Sequence, residues 1–135
     1  MGLFDIFKKE DKEPEWVSNM PKEIISMFLK EIKSNPQACN QDEIPQGIGQ
    51  FGFDKTNPIP VYGLPMNEQY LTSLRTMNGE RIRWRRIRSL EISHINKPID
   101  EYEIFNLKGD TMTLLYISPY HLKTSKKAPE GFKLI

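Results

Sequence analysis

The chain has one cysteine, Cys39, and little other chemistry of that kind. No intramolecular disulfide can form, and no cysteine-based zinc cluster can be assembled within one copy. This fits a reducing compartment. Histidine is nearly as scarce. His94 and His121 stand far apart, and neither sits at a metal-ligand spacing. Charge of one sign is also lacking: 19 basic residues face 18 acidic ones, a formal net charge of +1. A dedicated nucleic-acid binder carries a clear basic excess, so the overall balance argues against one. No apolar run approaches the roughly 20 residues needed to span a bilayer. The N-terminal MGLFDIFKKEDKEPEW has no secretory pattern, since Asp5 interrupts Leu3, Phe4, Ile6 and Phe7. Gly2 lacks a myristoylation signal, because Ile6 stands where Ser or Thr is required. These absences lead to an expectation of a cytoplasmic protein with no metal and no cofactor.

What is present fits a globular protein of 135 residues, 38% hydrophobic and 27% charged. Residues 8–15 are almost wholly charged. We therefore divide the chain into a charged N-terminal segment, 1–17, and a single α+β domain, 18–135. Lys8, Lys9 and Lys12 could face lipid headgroups, but Glu10, Asp11, Glu13 and Glu15 offset them, and a frayed or docked terminus is the simpler reading. A helix follows, capped by Ser18 or Asn19, with Pro21 in its first turn. Ile24, Ile25, Phe28, Leu29 and Ile32 give it one apolar stripe, and Asn35-Pro36 ends it.

Residues 36–57, rich in Gln, Asn, Gly and Pro, form a long loop, and such loops tend to be functional or mobile. NPIPVYGLP (57–65) is restricted to an extended or edge segment, because three prolines withhold amide hydrogens. Two β-hairpins are expected beyond it. YLTSLRT (70–76) turns at Met77-Asn78-Gly79 into ERIRWRRIRSLEI. EYEIFNL (101–107) turns at Lys108-Gly109-Asp110 into TMTLLYI (111–117). The expected fold is α+β: an antiparallel sheet of about four or five strands packed against one amphipathic helix.

RIRWRRIR (81–88) is the most conspicuous stretch. In a strand, Ile82 and Trp84 share one face and Arg81, Arg83 and Arg85 the other. The alternation slips afterwards, and a bulge near Arg85-Arg86 explains it. One reading is a basic ribbon, Arg81, Arg83, Arg85, Arg86 and Arg88, with Trp84 stacking on a base. The preferred reading pairs the arginines with Asp100, Glu101 and Glu103 on the next strand and puts Trp84 in the core. GIGQFG (47–52) matches GxGxxG literally. It lacks the preceding strand and following helix that a dinucleotide site requires, so it reads as a flexible loop. Cys39 with His121 could form a nucleophile and base, but no local signature supports it. The carboxylates could also serve as an acid–base pair, but they are more simply the arginines' partners. A small enzyme with an unidentified pocket remains an alternative. Surface for a partner is left: Phe51, Phe53, Tyr62, Met66 and Tyr70 flank the Gly- and Pro-rich segments, where ordered aromatics suit an interface.

The stretches FGFDKTNPIPVYG, YLTSLRTMNGERI, IDEYEIF, LLYISPYH and KKAPEGF, over about residues 51–132, resemble a group of small bacterial proteins of unknown function. NPIPV, the YL–L–R–G spacing and the terminal PEGF carry the likeness. The resemblance implies a bacterial, cytoplasmic origin and, with no activity known for the group, carries over no catalytic residue. By analogy of size and class, it extends to an immunity or accessory protein. The expected function is a non-catalytic protein-interaction domain whose partner is another protein. The contact surfaces expected are loop 40–66 and the exposed sheet face. Nucleic-acid binding through the arginine ribbon is the alternative.

Overall fold

The computed structural model of the chain describes residues 20–135. The charged segment 1–17 and the caps expected at Ser18 or Asn19 lie outside the described residues. The fold is α+β. Among the described residues, two helices, α1 (Lys22–Lys33) and α2 (Pro65–Ser73), accompany six strands. These are β1 (Ile59–Pro60), β2 (Leu74–Thr76), β3 (Arg83–Ile92), β4 (Ile95–Phe105), β5 (Thr111–Ser118) and β6 (Phe132–Leu134). One sheet has the order β1-β5-β4-β3, and β2 pairs with β6 in a second.

The larger sheet is mixed, not wholly antiparallel. β3, β4 and β5 run antiparallel to their neighbours, while β1 lies parallel to β5. β1 stays short because Pro58 precedes it and Pro60 is its second residue, and neither can donate to a ladder. The chain continues beside β5 through single bonds: the Val61 amide donates to Ser118 O and the His121 amide to Val61 O.

Residues 70–73 are helical, where a strand was expected. Tyr, Thr and Leu favour strands, but Asn67, Tyr70, Leu71 and Leu74 also fall at i, i+3, i+4, i+7, and Pro65 occupies the helix start. All four are buried, so the helical spacing prevailed through packing. The chain does reverse at Met77–Gly79, with the Thr76 amide donating to Glu80 O and Arg75 bridging Arg81. The reversal does not make the expected hairpin, because β2 takes β6 as its ladder partner and β3 takes β4. β3 joins β4 through Ser93–His94. β4 joins β5 through residues 106–110, where Asn106 O accepts from the Gly109 amide.

Register assigns the two faces of the large sheet. On the inner face, Tyr102, Ile104, Leu115 and Ile117 pack with Tyr70, Leu71 and Leu74. The helix on this face is α2. α1 packs elsewhere: Phe28 and Ile32 meet Tyr62 and Tyr120 near the sheet's end, while Ile24 and Met27 stay exposed. On the outer face, the loop supplies Ile44 over Ile95, Ile99 and Tyr116. It covers only the half near the β3–β4 turn.

Gly63 sits where β1 gives way to α2, at φ +88, and a Cβ there would stand 2.6 Å from the Phe28 ring. Gly79 has φ +85 with open space around it. Alanine at Gly79 meets only the left-handed backbone cost of about 1 kcal/mol. Alanine at Gly63 adds displacement of Phe28, for a total of about 2–3 kcal/mol. Urea unfolding midpoints of the two variants should separate in that order.

Candidate interaction surface on the arginine-rich strand

β3 carries its arginines on both faces. Arg85 stands opposite Glu103, and Arg88 opposite Glu101, both on the outer face. Between them the register shifts from Arg86 to Arg88, and Arg86 faces inward, opposite Tyr102. The expected bulge near Arg85-Arg86 falls at this shift. Trp84 opposes Ile104 on the inner face and packs against the core, so it offers no stacking surface outward. Ile82 is buried, and Ile87, at the irregularity, is exposed.

Three arginines meet the carboxylates expected of them. Arg85 Nη2 lies 2.5 Å from Glu103 Oε1, Arg86 Nη2 2.7 Å from Asp100 Oδ1, and Arg88 Nε 3.0 Å from Glu101 Oε1. The pairs are lopsided in depth. The arginine side chains are 69%, 51% and 64% exposed, their carboxylates 19%, 3% and 5%. The negative groups therefore lie beneath, and the guanidiniums face water. Arg81 and Arg83 are exposed and make no ion pair among the described residues.

The buried carboxylates have further donors. Asp100 Oδ2 accepts from Asn67 Nδ2 at 2.9 Å, which ties α2 to the sheet. Glu101 Oε2 accepts from the Tyr116 hydroxyl at 2.8 Å. Burial, with that hydrogen bond to Glu101 second, pushes the Tyr116 phenol up to about 12. Glu103 also accepts from Thr111, and the Arg85 hydrogen bond leads in holding its carboxyl below the usual range. Toward the far end of the outer face, Phe105 is half-buried and Leu114 is exposed, with exposed Met112 at the adjoining irregularity. No described loop packs over them.

The five aromatic and methionine residues expected at an interface lie against the cores. Phe51, Tyr62 and Tyr70 are buried, and Phe53 and Met66 are half-buried against the core. Loop 36–57 folds inward because its polar groups find partners: Asn57 Nδ2 donates to Glu43 Oε1 and Gly49 O, and Ser125 Oγ donates to Asp42 O. Gly47–Gly52 lies in this loop with neither a strand before it nor a helix after it.

His121 is almost wholly buried. The Cys39 amide donates to its Nδ1 at 3.1 Å, so the proton resides on Nε2, which donates to Ser118 Oγ at 2.9 Å. A serine nucleophile needs the opposite direction, with its hydroxyl donating to the imidazole. The Cys39 thiol is not the group in contact, and burial pushes it up, away from a thiolate. As arranged, His121 fastens the end of β5 to the start of the loop. His94 donates through Nε2 to Thr56 O, and its own carbonyl accepts from Gln37 Nε2. Among the described residues, no group of three or more His, Cys, Asp or Glu side chains could hold a metal.

Asn67 and Arg75 are the residues that sequence reasoning overlooked. Arg75 is buried and donates through Nη1 to Thr72 O and Leu74 O, closing the end of α2. Once 65–73 is taken as a helix, Asn67 shares the stripe of Tyr70 and Leu71, the one signal that would have placed it inward.

Two outcomes follow. Arg86→Met leaves Asp100 buried with only Asn67, and should cost about 2 kcal/mol, less than a fully buried pair because Arg86 is half open to water. Arg85→Ala, at a water-exposed pair, should move the urea midpoint less. For His121, burial lowers the pKa from 6.5 to about 4. The unfolded imidazole thus binds a proton at a pH where the folded one does not. The stabilisation is complete above pH 6.5 and is lost as pH falls toward 4, the slope approaching about 1.4 kcal/mol per pH unit. His121→Asn should abolish that slope between about pH 6.5 and 5, where carboxylates remain mostly ionised.

Among the described residues, no helix is long and apolar enough to cross a membrane. Comparison of the chain with protein-family models, curated proteins and solved structures finds no match.

Proposed function

We propose that this chain is a non-catalytic protein-interaction domain whose contact surface is the outer face of the large sheet, at the end where Arg83, Arg85, Phe105 and Leu114 lie. One observation carries this reading. The loop that covers the outer face over Ile95, Ile99 and Tyr116 stops short, leaving apolar side chains beside exposed guanidiniums. Arginine beside apolar groups is the composition of contact patches, whereas isolated surface charges contribute little. Loop 40–66, the other expected contact surface, has its aromatics committed to the core, which favours the sheet face over it.

The proposal extends to a bacterial, cytoplasmic protein of accessory or immunity type, on the strength of the resemblance of residues 51–132. The rival, nucleic-acid binding by Arg81, Arg83, Arg85, Arg86 and Arg88, is less favoured. Three of these arginines already hold carboxylates, and Trp84 packs inward. An enzyme reading is disfavoured by the direction of the His121–Ser118 hydrogen bond.

A pull-down from bacterial extract should retain a partner with the wild type and with a Lys108→Glu control, and lose it with Leu114→Glu. Equal retention by all three would remove the outer face from consideration. In gel shifts at about 50 mM salt, neither duplex nor single-stranded DNA should be retarded; clear retardation that fades with added salt would favour the rival.

A further inference from the structure

β3 is the last strand of its sheet, and among the described residues its outer edge has no ladder partner. Open edges of this kind invite pairing with another strand. Arg83–Arg86 form a regular stretch, ended by the register shift before Arg88. A second copy of the chain would pair poorly here, since it would set guanidinium against guanidinium. A strand carrying carboxylates would not.

The strand already beside it gives the pattern. β4 sets Glu103 opposite Arg85 and Glu101 opposite Arg88, with residues between them turned to the other face. Those contacts leave donors unused. Arg85 reaches Glu103 through Nη2 alone, and Arg88 reaches Glu101 through Nε alone, out of five guanidinium N–H groups each. Among the described residues, Arg81 and Arg83 hold no carboxylate. The edge therefore presents spare, outward donors where alternate side chains of an added strand would lie.

Resting on the interaction reading above, we propose that the free edge of β3 at Arg83–Arg86 binds an extended, acidic segment of a partner protein, its carboxylates at alternate positions pairing with Arg83 and Arg85 on the outer face. Main-chain bonds to the edge supply affinity in this mode, and the alternate side chains supply selection. Apolar Leu114 and Phe105 nearby suit a protein segment better than a phosphate backbone, and the underlying Glu101 and Glu103 oppose phosphate.

The probe is a synthetic peptide of about eight residues alternating glutamate and valine, long enough to span the regular stretch. At low salt it should bind saturably and shift the amide resonances of Arg83–Arg86. A lysine–valine peptide should not bind. Arg83→Glu should weaken the acidic peptide about tenfold, the scale of one charge pair at an interface. Arg83→Gln, which removes the charge without reversing it, should weaken binding less while leaving the far-UV spectrum unchanged, which excludes misfolding as the cause. Absence of binding, or binding indifferent to Arg83→Glu, overturns the proposal. Preferential binding of oligothymidylate at the same amides also overturns it, in favour of nucleic acid. If the peptide fails while Leu114→Glu still abolishes partner retention, the acidic-strand proposal falls and the contact face stands. If Leu114→Glu has no effect either, both fall.

Discussion

A carboxylate nearly closed off from water, Asp100, is the point on which this structure depends. It lies on the inner face among Tyr102, Ile104 and Ile117, where an unpaired charge would be costly. Two groups make its burial tolerable: Arg86 from β3 on one oxygen and Asn67 from α2 on the other. One side chain therefore fixes where α2 lies against the sheet and how β3 lies against β4. Arg86 shares the inner face with Trp84 by simple alternation, and the register shift that follows turns Arg88 outward, opposite Glu101. The irregularity in the arginine strand is part of how the fold holds together, and not a flaw in its alternation.

The same shift sets the character of the outer face. By turning Arg88 outward, it sets Arg88 on the same face as Arg83 and Arg85, above Glu101 and Glu103. The acidic groups are deep and the basic groups shallow, so pairing orients the guanidiniums without hiding them. A net charge of +1 for the whole chain says nothing of this layering. Loop 36–57 then divides the face, covering Ile95, Ile99 and Tyr116 and leaving Leu114 and Phe105. His121, neutral and buried, anchors that loop at Cys39.

Much of this was legible in the residues. The spacing of arginines and carboxylates pointed to Asp100, Glu101 and Glu103 on the next strand as partners of the arginine stretch, because alternate positions on adjacent antiparallel strands meet; which carboxylate meets which arginine came from the register. The inward Trp84 and the slip near Arg85-Arg86 followed from the same two-residue period. The helix over 65–73 was not read, since Tyr70, Thr72 and Leu74 satisfy strand preference as well as a helical stripe, and only burial against Tyr102 and Leu115 separates the two. Pairing of β2 with β6 was also out of reach, because it joins residues nearly sixty positions apart with nothing local to mark them. The burial of Phe51 and Tyr62 was not legible for a related reason. Aromatics beside glycine and proline look exposed until the loop's polar groups find partners such as Asn57 with Glu43.

The sequence by itself determined the α+β class, the edge position of the proline-rich segment and the acidic strand that answers the arginines, because these rest on periods and dihedral restrictions spanning a few residues. The tertiary structure alone decided that Arg86 faces inward and Arg88 outward, that α2 rather than α1 covers the inner face, and that the outer face is half open. Those outcomes depend on register and on burial shared among distant segments. Neither is encoded in any short stretch of chain.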